Sequence, residues 1–273
     1  MCLPLLMTRI MSGKESVIIN KQMDLEKVLP LIMCQNIPGD YEDEMLKAQA
    51  VLERSSLYYL AANGEKNVGD KYLDTYYELS QKRNFQRIYE KMEQAVKETK
   101  GKVLRYDGKI CRGIYHKVSA GQTRDGEDIF PSSSLKYLQS VESEMDLSYE
   151  SATKGFYFTV DAWNQRMKEK YPEIIFEKNS LSEELYIVDR DSSGYVMEVQ
   201  VGNVTLPGEE FRKMLDLSSS NFEIQFIDGS IRFLCSGVGH GFGLSQYGGN
   251  ELAKQGNTYM EILEHYFPGA EIY

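Results

Sequence analysis

Between Gly239 and Gly248 the chain reads Gly-His-Gly-Phe-Gly-Leu-Ser-Gln-Tyr-Gly. Glycine has no Cβ, so it takes up positive φ freely and lets another backbone or a ligand come close. A run this rich in glycine predicts a tight loop that presents His240, Ser245, Gln246 and Tyr247 to a cleft. Helical patterning follows from Asn250 to Gln255 and from Thr258 to Tyr266, and Pro268-Gly269 ends it.

Upstream, Tyr41 to Ala62 is the clearest helix, with Leu46, Ala50, Leu57 and Leu60 as an apolar stripe at helical spacing. Asp40, just after Pro38-Gly39, has the position of its N-cap, and Glu42, Asp43 and Glu44 suit the positive end of the helix dipole. Leu25 to Cys34, Asn84 to Glu98 and Thr159 to Lys170 are further helices. Val103 to Tyr106, Asp107-Gly108 and Lys109 to Tyr115 predict a hairpin with a primed turn. Leu185 to Val188, Tyr195 to Val201 and Phe222 to Leu234 alternate as strands, with turns at Ser192-Ser193-Gly194 and Asp228-Gly229. The loosest stretches are Asn63 to Asp70 and Ser148 to Lys154, and residues 148–154 mark a boundary between two lobes. The expected class is α+β.

The 273 residues suffice for one large domain or two lobes, and 42% apolar with 26% charged residues predicts a folded body. Against 41 acidic residues stand 31 basic ones, a net charge of −10 with no basic run. That excludes nucleic acid as the main partner, because phosphate binding needs clustered Lys and Arg. Cys2, Cys34, Cys111 and Cys235 are scattered without paired spacing, so neither a disulfide framework nor a zinc site is legible. Cys111 and His116 share one hairpin arm, but two donors make no metal site, and no cofactor is expected.

Several blocks together carry a resemblance. Gly237 to Gly248, then Ala253, Gly256, Tyr259 to Leu263 and His265 to Gly269, are similar to G-x-G-x-G-H-G-x-G-M-S-Q-Y-G-A followed by A-x-x-G-x-S-Y-x-E-I-L-x-H-Y-Y-P-G. Pro38 and Leu46 to Val51, with Arg54 and Ser55, resemble E-M-P…L-K-A-Q-A-V-A-A-R-T. Thr99 to Leu104 and Tyr115 to Thr123 resemble T-x-G-x-V-L…Y-H-A-x-S-G-G-x-T. These are signatures of the stage II sporulation protein D family, which also includes the amidase enhancer LytB. The resemblance covers roughly residues 20 to 273. It implies a two-lobed domain with a groove between the lobes, peptidoglycan glycan strands as substrate and lytic transglycosylase chemistry. It further implies that Lys47, Gln49, Arg54, His116, His240, Ser245, Gln246 and Tyr247 contact the glycan. From the residues alone, Lys47 and Arg54 share a helix face and equally suit a solvated face or ion pairs with Glu44 and Glu53.

One position departs. The family's general acid/base is the glutamate of E-M-P, and counting back from Pro38 places Asn36 there. An amide hydrogen-bonds a sugar but exchanges no proton at neutral pH. A transglycosylase uses one carboxyl first as acid and then as base, much as the acid of a retaining glycosidase changes role. Positioned proton transfer contributes about 10²–10⁴-fold in rate, so the substitution predicts binding with little turnover. The alternatives are an active enzyme using Asp40 or a neighbouring acid, and a structural partner of an envelope complex that touches no glycan.

The amino terminus begins with the apolar run Cys2-Leu3-Pro4-Leu5-Leu6-Met7, far short of the roughly 20 residues of a membrane span. Residues 1–19 read as the tail of a longer membrane anchor, or as a frayed terminus. The anchor reading places residues 20–273 on the extracytoplasmic side of the membrane, near a cell-wall amidase as partner, with the anchor as the only membrane contact.

Overall fold

The computed structural model describes residues 25–65, 76–81, 83–128, 135–175 and 181–273. Helices and several small sheets mix along the chain, as the α+β expectation holds. The expected anchor at residues 1–19 and most of the loose stretch Asn63 to Asp70 lie outside the described residues. Among those described, no helix is long and apolar enough to cross a membrane.

Apolar residues gather in two main cores. The first is formed by α1 (Leu29–Asn36), α2 (Asp43–Ala62) and α3 (Phe85–Glu98), joined near the C-terminus by α6 (Gln246–Lys254) and α7 (Tyr259–Tyr266). Helix α2 is its axis. From Met45 to Ser55 every residue except Lys47 is buried, so the stripe at Leu46, Ala50 and Leu57 is only part of its covered surface. A helix enclosed on several sides must satisfy whatever polar groups it carries, because an unpaired buried polar group costs about 1–3 kcal/mol. Gln49, Glu53, Arg54 and Ser55 are such groups.

A small sheet closes this core. β1 (Leu104–Tyr106) pairs with β2 (Lys109–Ile110) and with β11 (Glu271–Ile272), both antiparallel. Asp107 and Gly108 both have positive φ, 50° and 71°, as a primed hairpin turn requires. The second arm ends at Ile110, however, and Tyr115–His116 forms a separate strand, β3.

The second core is built around Trp163, Phe211, Phe222 and Phe233. It joins β4 (Thr153–Thr159), β8 (Phe222–Ile227) and β9 (Ser230–Ser236), in the order β4-β9-β8, to a sheet of β5 (Leu185–Arg190), β6 (Val196–Val201) and β7 (Val204–Pro207). Helices α4 (Val160–Lys170) and α5 (Gly208–Met214) pack on it. Ser148 to Lys154 is more ordered than its polar composition suggests. A 3-10 turn spans Glu144–Ser148, and β4 begins at Thr153 because Lys154 pairs with Cys235 of β9.

A buried ion pair ties the two cores together. Arg124, packed over the rings of Tyr195 and Phe242, bonds Asp191 in the turn after β5, and its backbone N–H donates to Gly241 O. Both side chains of the pair are almost fully enclosed.

Candidate functional site

The glycine run is laid directly along β3. Gly237, Gly239, Gly241 and Gly243 all have positive φ, and a Cβ on Gly243 would stand 2.1 Å from Ile114 O. That clearance lets Leu244 N donate to Ile114 O at 3.1 Å, and lets β10 (Leu244–Ser245) pair in parallel with β3. Helix α6 then starts four residues earlier than its patterning suggests. Ser245 is its N-cap, accepting from Gly248 N at 3.2 Å and donating to Asp146 Oδ1 at 2.8 Å. Gln246 and Tyr247 therefore stand on the first turn of a helix, and the fully buried Ser245 holds that turn in place.

This placement brings three of the expected residues together. Gln246 Nε2 donates to Asn36 O at 2.9 Å and to Gln49 Oε1 at 3.2 Å. The side chains of Asn36 and Gln49 converge on a group the sequence reading had assigned only to ion pairing. Asn36 Nδ2 donates to Glu53 Oε1 at 2.8 Å and Gln49 Nε2 at 3.0 Å, while the Tyr115 hydroxyl donates to the same oxygen at 2.7 Å. Glu53 keeps 5% of its surface exposed, and Asn36 and Tyr115 are the partly exposed members above it. Burial pushes the Glu53 carboxyl above its ordinary value, against the pull of these three hydrogen bonds.

A rim of tyrosines adjoins the cluster. The loop after Asn36 lies against α6, where Glu42 N donates to Asn250 Oδ1 at 2.8 Å. Tyr149 and Tyr247 meet edge-on with centroids 5.0 Å apart, Ser148 bonds the Tyr247 hydroxyl, and Lys117 Nζ lies 5.3 Å from the Tyr149 ring centroid. Burial, then the neighbouring Tyr149, pushes the Tyr41 phenol up to about 12. All three rings are partly exposed. Such rings offer an apolar face and a polar edge together.

The other expected residues lie elsewhere. His116 Nδ1 donates to Phe242 O at 3.0 Å, and its Nε2 is buried without a hydrogen-bond partner. His240 Nδ1 accepts from Phe242 N at 3.1 Å, and the two rings are 5.8 Å apart. Burial lowers both imidazoles to about 4, so they are neutral at neutral pH. Successive strand residues point to opposite faces, so Tyr115 serves the carboxyl cluster while His116 serves the histidine pair. Among the described residues no group of three His, Cys, Asp or Glu is placed to hold a metal.

Of the two cations, Lys47 has the Glu44 partner its spacing allows and Arg54 is corrected. Arg54 is fully buried, and its N–H groups go to Glu26 Oε1 and Oε2, Thr99 Oγ1, Lys102 O and Val96 O. It braces the start of the domain against α3 and has no donor left for a glycan carboxylate. It also pairs with Glu26, where the spacing had suggested Glu53. Lys47 bonds Glu44 and Glu98, each at 2.7 Å. Asp40 is exposed and is not the helix cap: Glu42 holds the N-cap position, with no side-chain bond to the helix.

Comparison with known proteins gives this geometry a context. A family model described as Stage II sporulation protein matches residues 13–106, the segment that contains Asn36, Gln49 and Glu53. The chain is 27% identical over 265 residues to Stage II sporulation protein D of Bacillus amyloliquefaciens, covering 92% of this chain and 75% of that protein. It is 28% identical to the protein of the same name in Bacillus subtilis (strain 168), with the same coverage. The Amidase enhancer of Bacillus subtilis (strain 168) is 24% identical over 296 residues, covering 91% of this chain and 40% of that protein.

Proposed function

We propose, from the match of residues 13–106 to a Stage II sporulation protein family model, that this chain binds the glycan strands of peptidoglycan during cell-wall remodelling. The binding surface runs from Asn36 and Tyr115 to the tyrosines at 41, 149 and 247, in a groove between the lobes on the extracytoplasmic side of the membrane. The observation that carries this reading is the partly exposed amide of Asn36, held from beneath by the buried Gln49 and Gln246 and set beside partly exposed aromatic rings, so that Gln49 and Gln246 support the surface and do not contact the glycan as expected. Sites that fix polar ligands combine a few oriented amides with apolar walls in this way. Asn36 contributes hydrogen bonding and, as an amide, carries no proton itself. The similarity to a protein named Amidase enhancer favours a cell-wall amidase as partner.

Co-sedimentation with purified sacculi tests the reading. The chain should pellet with sacculi, and Tyr247→Ala together with Tyr149→Ala should weaken that binding about tenfold or more, a loss of about 1.4 kcal/mol for two large aromatic faces. A chain that stays in the supernatant at every sacculus concentration is not a glycan binder.

A further inference from the structure

The carboxyl missing from position 36 has a counterpart 17 residues along the chain. In the pattern L-K-A-Q-A-V-A-A-R-T this chain keeps Leu46 to Val51 and Arg54, but writes Leu52-Glu53 where the pattern has two alanines. The structure places the acid gained at 53 within 2.8 Å of the amide standing at 36. We propose that Glu53 is the proton carrier of this site, so that the chain cleaves glycan strands with a carboxyl presented from helix α2 in place of one from the last residue of α1. The proposal rests on the glycan-binding reading above and concerns the same site.

The geometry around Glu53 suits a working acid better than a structural one. Its three hydrogen bonds all end on Oε1, and among the described residues none is made to Oε2. A glutamine at 53 would accept the same three bonds, so the packing does not require an acid there. Among the described residues no cation pairs with Glu53. Lys47 is engaged by Glu44 and Glu98, and Arg54, its neighbour in sequence, by Glu26. Among the described residues the side chains hydrogen-bonded to Glu53 are those of Asn36, Gln49 and Tyr115, none of them a cation. Desolvation without a counter-charge keeps a carboxyl protonated to higher pH, the condition a general acid needs near neutrality. Asn36 has its Nδ2 committed to Glu53 and, among the described residues, no bond on Oδ1, which suits it to orient a sugar hydroxyl beside the acid.

The reaction balances within the glycan. The Glu53 carboxyl gives its proton to the glycosidic oxygen, the bond from the anomeric carbon to that oxygen breaks, and its electron pair leaves with the departing sugar as a hydroxyl. The 6-hydroxyl oxygen of the remaining sugar bonds to its own anomeric carbon, closing an anhydro ring, and its proton returns to Glu53. One C–O bond replaces another, the carboxyl is regenerated, and neither water nor a co-reactant is consumed.

The test incubates the full chain with purified sacculi, measures anhydro-ended fragments by mass spectrometry and measures sacculus binding in the same tubes. Four proteins are compared: the parent, Glu53→Gln, Asp40→Asn, and the exchange variant Asn36→Glu with Glu53→Ala. The parent should release anhydro ends, and Glu53→Gln should release about 10²–10⁴-fold fewer while binding as well. Asp40→Asn should match the parent, and the exchange variant should recover release above the Gln level. The parent's rate should also fall as pH rises through the carboxyl's own titration, a profile that a packing role would not produce. If the parent binds sacculi but releases nothing, or if folded Glu53→Gln cleaves like the parent, the proton-carrier assignment is overturned and the binding reading stands. If the parent does not bind at all, the binding reading itself falls.

Discussion

Replacing Glu53 separates the cost of a buried acid from the value of the bonds it accepts. Glu53→Gln keeps an oxygen for Asn36, Gln49 and Tyr115, whereas Glu53→Ala removes the acceptor of three donors at once. A stranded buried donor costs about 1–3 kcal/mol. Gln49 is fully enclosed, while Asn36 and Tyr115 are partly exposed and can turn to water, so the alanine variant should lose roughly 3–5 kcal/mol. The glutamine variant should be nearly neutral at acid pH and gain on the parent as pH rises. Below the ordinary carboxyl value of 4.5 both folded and unfolded parent bind the proton. Above 4.5 the unfolded chain releases it while the folded chain, its value raised by burial, holds it. The unfolded state then binds fewer protons, and parent stability falls by about 1.4 kcal/mol per pH unit until the folded value is reached. Denaturant unfolding of parent, Gln and Ala variants from pH 4 to pH 8 measures all three quantities. A parent-minus-Gln difference that stays flat across that range would refute the reasoning, as would an alanine variant as stable as the glutamine one.

Other expectations follow from the same structure. The folded His116 and His240 have values of about 4 against an ordinary 6.5, so the parent should lose stability as pH falls from 6.5 toward 4, and His116→Gln should flatten that decline in a thermal melt. Gly243→Ala combines φ of 66° with a Cβ 2.1 Å from Ile114 O, and should cost roughly 3 kcal/mol or more by denaturant unfolding. Arg124→Met strands Asp191 between the two cores and should cost about 3–5 kcal/mol, with Asp191→Asn in the same chain recovering part of it.

Much of the scaffold is legible from local pattern. Helices α3 and α4 fall where apolar spacing puts them, Thr159 caps α4 by accepting from Ala162 N, and Thr258 with Glu261 forms the capping box of α7. The primed turn at Asp107-Gly108 follows from residue type alone. Short strands such as β7 and β11 are not legible, because each is defined by a distant partner: β11 exists because Glu271 faces Arg105. The site divides along the same line. Motifs mark Asn36, Gln49 and Gln246, whereas no motif marks Glu53 or Tyr115 as site residues. Glu53 sits in a helix whose stripe reading describes one covered face, and besides Gln49, four residues before it, its partners lie 17 residues before and 62 residues after it. One signal was available. A glutamate stands where the resembled pattern has alanine, directly after Val51 and Leu52, and a carboxyl beside two apolar helix residues needs partners if that face is covered. The cations failed in the opposite direction, since sequence cannot tell an exposed Arg54 from one whose donors are all claimed inside the fold.

A crystal structure of Glu53→Gln with a bound glycan tetrasaccharide tests the central claim most directly. The account predicts a glycosidic oxygen within about 3.2 Å of the residue 53 side chain, with a sugar against Tyr247 and Asn36 on a neighbouring hydroxyl. A sugar chain seated with its glycosidic oxygens beside Asp40, or with residue 53 sealed away from every one of them, would contradict it.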